Sequence, residues 1–292
     1  MLLRTCPLLL LTVATAAAAA PPDWRNGWLE APTAAAPINA GDDAAQITHS
    51  AVTRQIEVQN LLAGPVQVRV VAMPSQQIAL ERVLPAARRA PVSLTTQAND
   101  ASPKSFVLEA VPGAPGSGAH GSQVLYHLPF ATPRVRVDQG FGGQHSHDDA
   151  ENRYALDFPL AEGTPVLAAR AGTVMQVIDH HHANHQDRSQ RGRGANLVRV
   201  LHEDGSMALY AHLAPGAAVR PGQRVSVGTV LGRSGNTGFS TAPHLHFVVQ
   251  ANTGMALTSL PFRLGSDAGE LHFPAPPAAA TPAANVAASS PL

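Results

Sequence analysis

Two histidines two residues apart, His244 and His246, are the residues of this sequence best placed to do chemistry. They stand in Pro243–Gln250, a run that predicts one clean strand, and residues two apart on a strand face the same side. Both imidazoles therefore project together, while Leu245 points to the opposite face, toward a core. One imidazole of such a pair can bind a metal while the other stays within reach of a water on that metal. Asp157 lies in Tyr154-Ala155-Leu156-Asp157-Phe158, where Tyr154, Leu156 and Phe158 make one apolar face. A lone carboxylate on the other face of a buried strand is costly unless it is paired or bound to a cation. His212 ends a further strand, Leu209-Tyr210-Ala211-His212. Zinc accepts His nitrogen and Asp oxygen, and a catalytic zinc site keeps three protein ligands and one open position. By spacing alone the His-x-His pair is a weak signal, because surface histidines two apart on a strand are common.

The longer run Gly232-Arg233-Ser234-Gly235-Asn236-Thr237-Gly238-Phe239-Ser240-Thr241-Ala242-Pro243-His244-Leu245-His246-Phe247 is more specific. It resembles the signature of the lysostaphin-like (LytM-type) zinc endopeptidases. Ala155–Phe158 with Gly163–Val166, Ala171–Val174 and Tyr210–Leu213 match that family in the same order, so the resemblance covers roughly 140–250. It implies Asp157 and His246 as zinc ligands. It also implies His212 and His244 as non-ligand histidines that act as general base and as stabilisers of the oxyanion. That chemistry is coherent: zinc lowers the pKa of a bound water to about 7, and a nearby imidazole can take its proton and later hand one to the leaving amine. No HExxH occurs, so no glutamate base of that kind is available.

The first ligand departs from the family's commonest pattern. A His usually stands four residues before the Asp, and here that place is Arg153. The family also has members with a longer spacing, in which a Ser-His pair comes well ahead of Tyr-Ala-x-Asp-Phe. Gln139-Gly140-Phe141-Gly142-Gly143-Gln144-His145-Ser146-His147 resembles that variant, which aligns His147 with the ligand. Spacing cannot separate His145 from His147, since they too are two apart.

The elements that must carry these residues are strands. The 292-residue chain is 4% aromatic with 24 Gly and 25 Pro, a mix that reads as short strands joined by many turns. The expected fold is all-β: a small N-terminal β-sandwich-like domain, then an antiparallel β-sheet or barrel-like metallopeptidase domain. Ile56-Glu57-Val58 and Val66–Val70 alternate apolar with polar around Gly64-Pro65, and Phe106–Val111 is a further strand. Pro112–Gly118 reads as a linker. Downstream, Asn196–Leu201 and Ser206–His212 flank the hairpin signal Asp204-Gly205, with His202-Glu203-Asp204 read as a solvated tip. The His180–His182 run and His185 fall in a polar loop, 179–194, read as a lid or rim.

Residues 1–20 read as a signal peptide: Arg4, the apolar run Leu8–Val13, then the small residues Ala16–Ala20. The remaining divisions expected are 21–118 for the N-terminal β domain with its linker, 122–264 for the zinc domain, and 265–292 for a disordered Ala/Pro-rich tail. Cys6 is the only cysteine and precedes the apolar run, so the processed protein would have no disulfide and any metal site must use His and carboxylate.

Lys+Arg equals Asp+Glu at 20 each, which gives no electrostatic reason to expect nucleic acid or an anionic membrane as partner. The expectations are a secreted protein, in a Gram-negative periplasm, acting on peptidoglycan stem peptides, with no membrane anchor and no obligate protein partner evident. Arg170, Arg193 and Arg233 are candidates to orient the free carboxylates of those peptides. The alternative is an inactive relative that serves as a cell-wall-binding or amidase-activating module, and that reading rests on Arg153. A carrier domain of the biotinyl or lipoyl type is set aside, since no lysine follows Lys104.

Overall fold

The computed structural model describes residues 29–30, 44–50, 55–73, 75–87, 89–93, 105–116, 124–132, 134–190, 193–266 and 269–271. The segment 1–20 and the residues from 272 onward lie outside the described residues. Among the described residues no helix is long and apolar enough to cross a membrane.

The fold is all-β, with a small N-terminal sheet region and a larger antiparallel sheet. The central strand of the larger sheet is His244–Asn252, which pairs with Met207–Ala211 on one side and with Leu156–Pro159 and Leu257–Ser259 on the other. Leu197–Leu201 and Gly172–Ile178 continue the sheet beyond Met207–Ala211. The sequence dictates which face is which. Leu245, Phe247, Val249 and Ala251 alternate with His244, His246, Val248, Gln250 and Asn252, and Leu245, Phe247 and Val249 pack with Leu156, Phe158, Tyr210, Val198 and Val200 in the main core. The opposite face carries the polar set.

Residues 202–206 make the expected hairpin, with Gly205 N donating to His202 O at 3.0 Å and His202 N to Ser206 O at 2.8 Å. The tip is not simply solvated: His202 is buried edge-on against Tyr126, 5.5 Å between ring centres, and Asp204 is paired with Arg170.

Leu29–Glu30, Ser105–Pro112, Val66–Met73 and Gln77–Leu84 form a four-stranded N-terminal sheet, and Ala45–Ser50, Gln55–Asn60 and Arg89–Ser93 a three-stranded one. Their core is continuous with the end of the larger sheet, since Val66, Val68, Leu108 and Val111 cluster with Met175, Met207 and Leu257. The run read as a linker is bonded here: Asn252 Nδ2 donates to Gly113 O at 3.0 Å, and Gly116 N to Asn252 O at 3.1 Å. Residues read as the start of the tail are also structured, because Arg263–Ser266 pairs with Gly269–Leu271 and, in parallel, with Leu125–His127.

Candidate metal centre

The strand register brings the predicted residues together. His246 sits directly between Asp157 on one neighbouring strand and Ala211 on the other. Directly opposed residues lie about 4.5–5.5 Å apart, so His246 and Asp157 must meet. His246 Nδ1 is 2.9 Å from Asp157 Oδ1, and His147 Nε2 is 3.2 Å from the same oxygen. His147, Asp157 and His246 are all buried and offer donor atoms within 4.8 Å of one another. His145 does not join them: it is exposed and stacks on Phe239, 5.7 Å between ring centres. Arg153 uses its carbonyl, which accepts from Gly142 N at 2.7 Å and ties down the loop that carries His147.

Hydrogen bonds on the far side of each ring decide what it presents. His147 Nδ1 lies 2.8 Å from Gly140 O, a pure acceptor, so Nδ1 carries the proton and Nε2 is a bare lone pair. His246 Nε2 lies 3.2 Å from Asn152 Oδ1, and Asn152 is oriented by its Nδ2 donating to Asp149 Oδ1 at 2.8 Å. His246 therefore presents its bare Nδ1. Gln139 Nε2 donates to Asp157 Oδ2 at 3.0 Å and leaves Oδ1 for the centre. Two imidazole lone pairs and one carboxylate oxygen thus converge, an arrangement that repels unless a cation sits among them. His147 Nε2 is buried with no hydrogen-bond partner, as a ligand atom would be. Two nitrogens and one oxygen are a donor set that suits zinc, so these residues fit the ion, and their outer partners match the way ligating histidines are usually held.

Two further imidazoles face the group. His212 is 4.5 Å from His244 and 5.9 Å from His246 between ring centres, and His244 Nε2 is 3.9 Å from Asp157 Oδ1. His212 Nδ1 is held 2.7 Å from Thr237 O and His244 Nδ1 2.8 Å from Ala242 O, so both keep Nε2 as acceptor. Burial lowers the pKa of His212 well below the usual imidazole value, and the neighbouring His244 and His246 lower it further. Burial would raise the Asp157 pKa, but the two imidazoles beside it, His147 and His246, hold it well below the ordinary carboxylate value. A neutral base therefore stands beside an ionised ligand. His212 has φ of 62°, a left-handed conformation that a non-glycine residue seldom adopts. It turns the chain out of the strand Met207–Ala211 and sets the ring against His244. The glycines of the following run have a matching cause, since a side chain at Gly235 would strike Ala214 N at 2.5 Å.

Asp157, His212, His244 and His246 open on a cavity of about 290 Å³, also lined by Gln139, His145, Phe239 and Gln250, with His147 buried behind it. None of Arg170, Arg193 and Arg233 lines it. Arg170 is bound to Asp204 and Tyr126, and Arg233 reaches Gly163 O. The spacing arguments passed over Gln139 and Asn152, polar residues in irregular segments with no periodicity to mark them. They also missed Arg199, wholly buried under the cleft with Nη1 donating to Gln250 Oε1 at 2.7 Å. The 179–194 loop is docked as a rim, because Asn184–His185 pairs with Gly238–Phe239 and Arg188 donates to His145 O at 2.9 Å.

A buried His-Asp-His centre flanked by two imidazoles on an antiparallel sheet is suited to hold a metal ion with proton-transferring groups beside it. Residues 151–257 match the model of peptidase family M23. The chain is 34% identical over 115 residues to the glycyl-glycine endopeptidase ALE-1 of Staphylococcus capitis, which is 39% of this chain and 29% of that protein. It is 37% identical over 91 residues to the peptidoglycan DD-endopeptidase ShyA of Vibrio cholerae, 31% of this chain and 18% of that protein. The catalytic domain of lysostaphin from Staphylococcus simulans superposes with a TM-score of 0.33 at 29% identity, over 43% of this chain and 87% of that one. The chain spans less than a third of the length of these two sequence relatives.

Proposed function

We propose that this protein is a zinc-dependent endopeptidase that hydrolyses peptide cross-links of peptidoglycan. The observation that carries the reading is the convergence of His147 Nε2, Asp157 Oδ1 and His246 Nδ1, each backed by its own outer partner. In this reading these three hold the ion, and His212 and His244 are the catalytic pair. Zinc held there supplies Lewis acidity toward water and a peptide carbonyl. His212, half-buried and neutral, accepts a proton from the attacking water at Nε2. Once protonated, the His212 and His244 pair can donate to the developing oxyanion and to the leaving amine. Thr237 O and Ala242 O keep both rings in the tautomer this requires.

The substrate class is supported by the two relatives, one a peptidoglycan DD-endopeptidase and the other a glycyl-glycine endopeptidase. A protein acting on the cell wall works outside the cytoplasm. The start of the sequence, charged then apolar then small, supports export to a periplasm, with 1–20 as signal peptide, 21–118 as the N-terminal domain and 122–264 as the zinc domain. The test is digestion of purified sacculi with mass analysis of released muropeptides, beside metal content. Near-stoichiometric zinc with new peptide ends is expected, both lost in His246→Ala. Release of peptides by a metal-free protein would overturn the reading.

A further inference from the structure

The face of the sheet that carries the site is open at one end only. Along His244–Asn252 the residues pointing to that face go from half-buried His244 and His246 at 7% exposed to 0% at Val248 and 1% at Gln250 and Asn252. In the other direction Thr241 and Ala242 are exposed. Two pieces of chain close the far end. The turn at 149–154 lies over Gln250: Gln250 Nε2 donates to Glu151 O at 3.0 Å, and Ser259 holds Ala150 O through both N, at 2.7 Å, and Oγ, at 2.8 Å. Behind it, Asn252 is tied to Gln67 at 3.1 Å and to Gly113 at 3.0 Å, which seats the N-terminal sheet on the rest of the face.

We infer that the substrate cleft is blind: a peptide arm on one side of the scissile bond must be short, and the arm on the other side runs out freely past Thr241. The turn at 149–154 and the N-terminal sheet together are the back wall. Gln250 is four residues beyond His246, about 14 Å at ~3.4 Å per residue, so the closed side holds an extended arm of roughly four residues at most. The wall is a built element, because buried Arg199 braces Gln250 from below. The floor before it is apolar, made of Leu197, Leu209, Ala211 and Val248, and so favours side chains without charge. This selects short-armed stem peptides over long bridges, and it gives the N-terminal region a part in the site without contact with the metal ligands.

The inference rests on the zinc-peptidase reading, and its test does not depend on cleavage. The probes are oligoalanine hydroxamates anchored at the zinc, one series lengthened from the carbonyl side and the other from the nitrogen side. Their affinities for the zinc-loaded full chain are measured by calorimetry. One series should lose at least about tenfold in affinity once its arm exceeds roughly four residues, while the other stays level. Equal tolerance of long arms in both series, a limit in both, or no binding by either overturns the blind cleft. A protein that sorts the arms by length yet releases nothing from sacculi keeps the blind cleft and loses the proposed activity.

Discussion

His246 Nε2 lies 3.2 Å from Asn152 Oδ1, and this contact decides which nitrogen His246 offers to the centre. Asn152 cannot present its amide nitrogen instead, because that nitrogen is committed to Asp149 Oδ1 at 2.8 Å. Asn152→Ala should therefore weaken zinc binding by about 10–100-fold, the usual cost of losing an outer partner, while the fold is kept. Competition against a chelator of known affinity measures this. Unchanged affinity would mean that the ring is held by strand packing alone.

His147 and His145 are separated by the structure where spacing left them equal. His147 is buried against Asp157, and His145 is exposed on Phe239. His147→Ala should lose zinc by more than the Asn152 variant does, whereas His145→Ala should retain near-stoichiometric zinc. Metal analysis after dialysis against a weak chelator distinguishes them. Loss of zinc from the His145 variant and not the other would reverse the assignment.

Much of the site was legible in the sequence because strand geometry is strict. Period two puts His244 and His246 on one face, and an isolated Asp157 among apolar residues asks for a cation. Neither argument extends to segments without a period. The loop that positions His147 is irregular, so its register against Asp157 depends on Arg153 O, Gly140 O and Gln139, which are tertiary contacts. Charge was misleading for Arg170 and Arg233. Their partners, Asp204 and Gly163 O, come from distant parts of the chain and take them away from the cleft. The docking of the N-terminal sheet was invisible for a similar reason. The glycine-rich run 112–118 looks like a free linker, yet Gly113 is bonded to Asn252.

His212 stores backbone strain at the site. At φ of 62° a side chain costs about 1–2 kcal/mol that glycine does not pay. At an ordinary strand end Gly is less stable than Ala by roughly 0.5–1 kcal/mol. Here the order should invert, with His212→Gly more stable than His212→Ala by about 1 kcal/mol. Both variants lose the ring and its bond to Thr237 O, so the difference isolates the backbone. Urea denaturation of the pair measures it. The ordinary order would show that the chain relaxes out of the left-handed region once the ring is gone.

The Arg170–Asp204 pair should make stability depend on acid independently of the metal. Arg170 Nη1 donates to Asp204 Oδ2 at 2.6 Å, and Ser206 donates to Asp204 Oδ1 through N at 3.1 Å and Oγ at 2.9 Å. Burial alone would raise the Asp204 pKa, but the bonds from Arg170 and Ser206 prevail and hold it below the ordinary value. A carboxyl whose pKa is lower in the folded state stabilises fully above its unfolded value, about 3.9. That contribution fades as pH falls from there through the folded pKa. The pair is partly exposed and screened, so Asp204→Asn should cost no more than about 1 kcal/mol at pH 7. The gap to wild type should narrow steadily below about pH 4. Urea midpoints of both proteins between neutral pH and about pH 3 give the comparison. Zinc lost in acid is lost from both proteins, and it cancels in the difference if the two sites act independently. A gap that stays constant down to the lowest pH would assign the effect to hydrogen-bond geometry and not to the charge on Asp204.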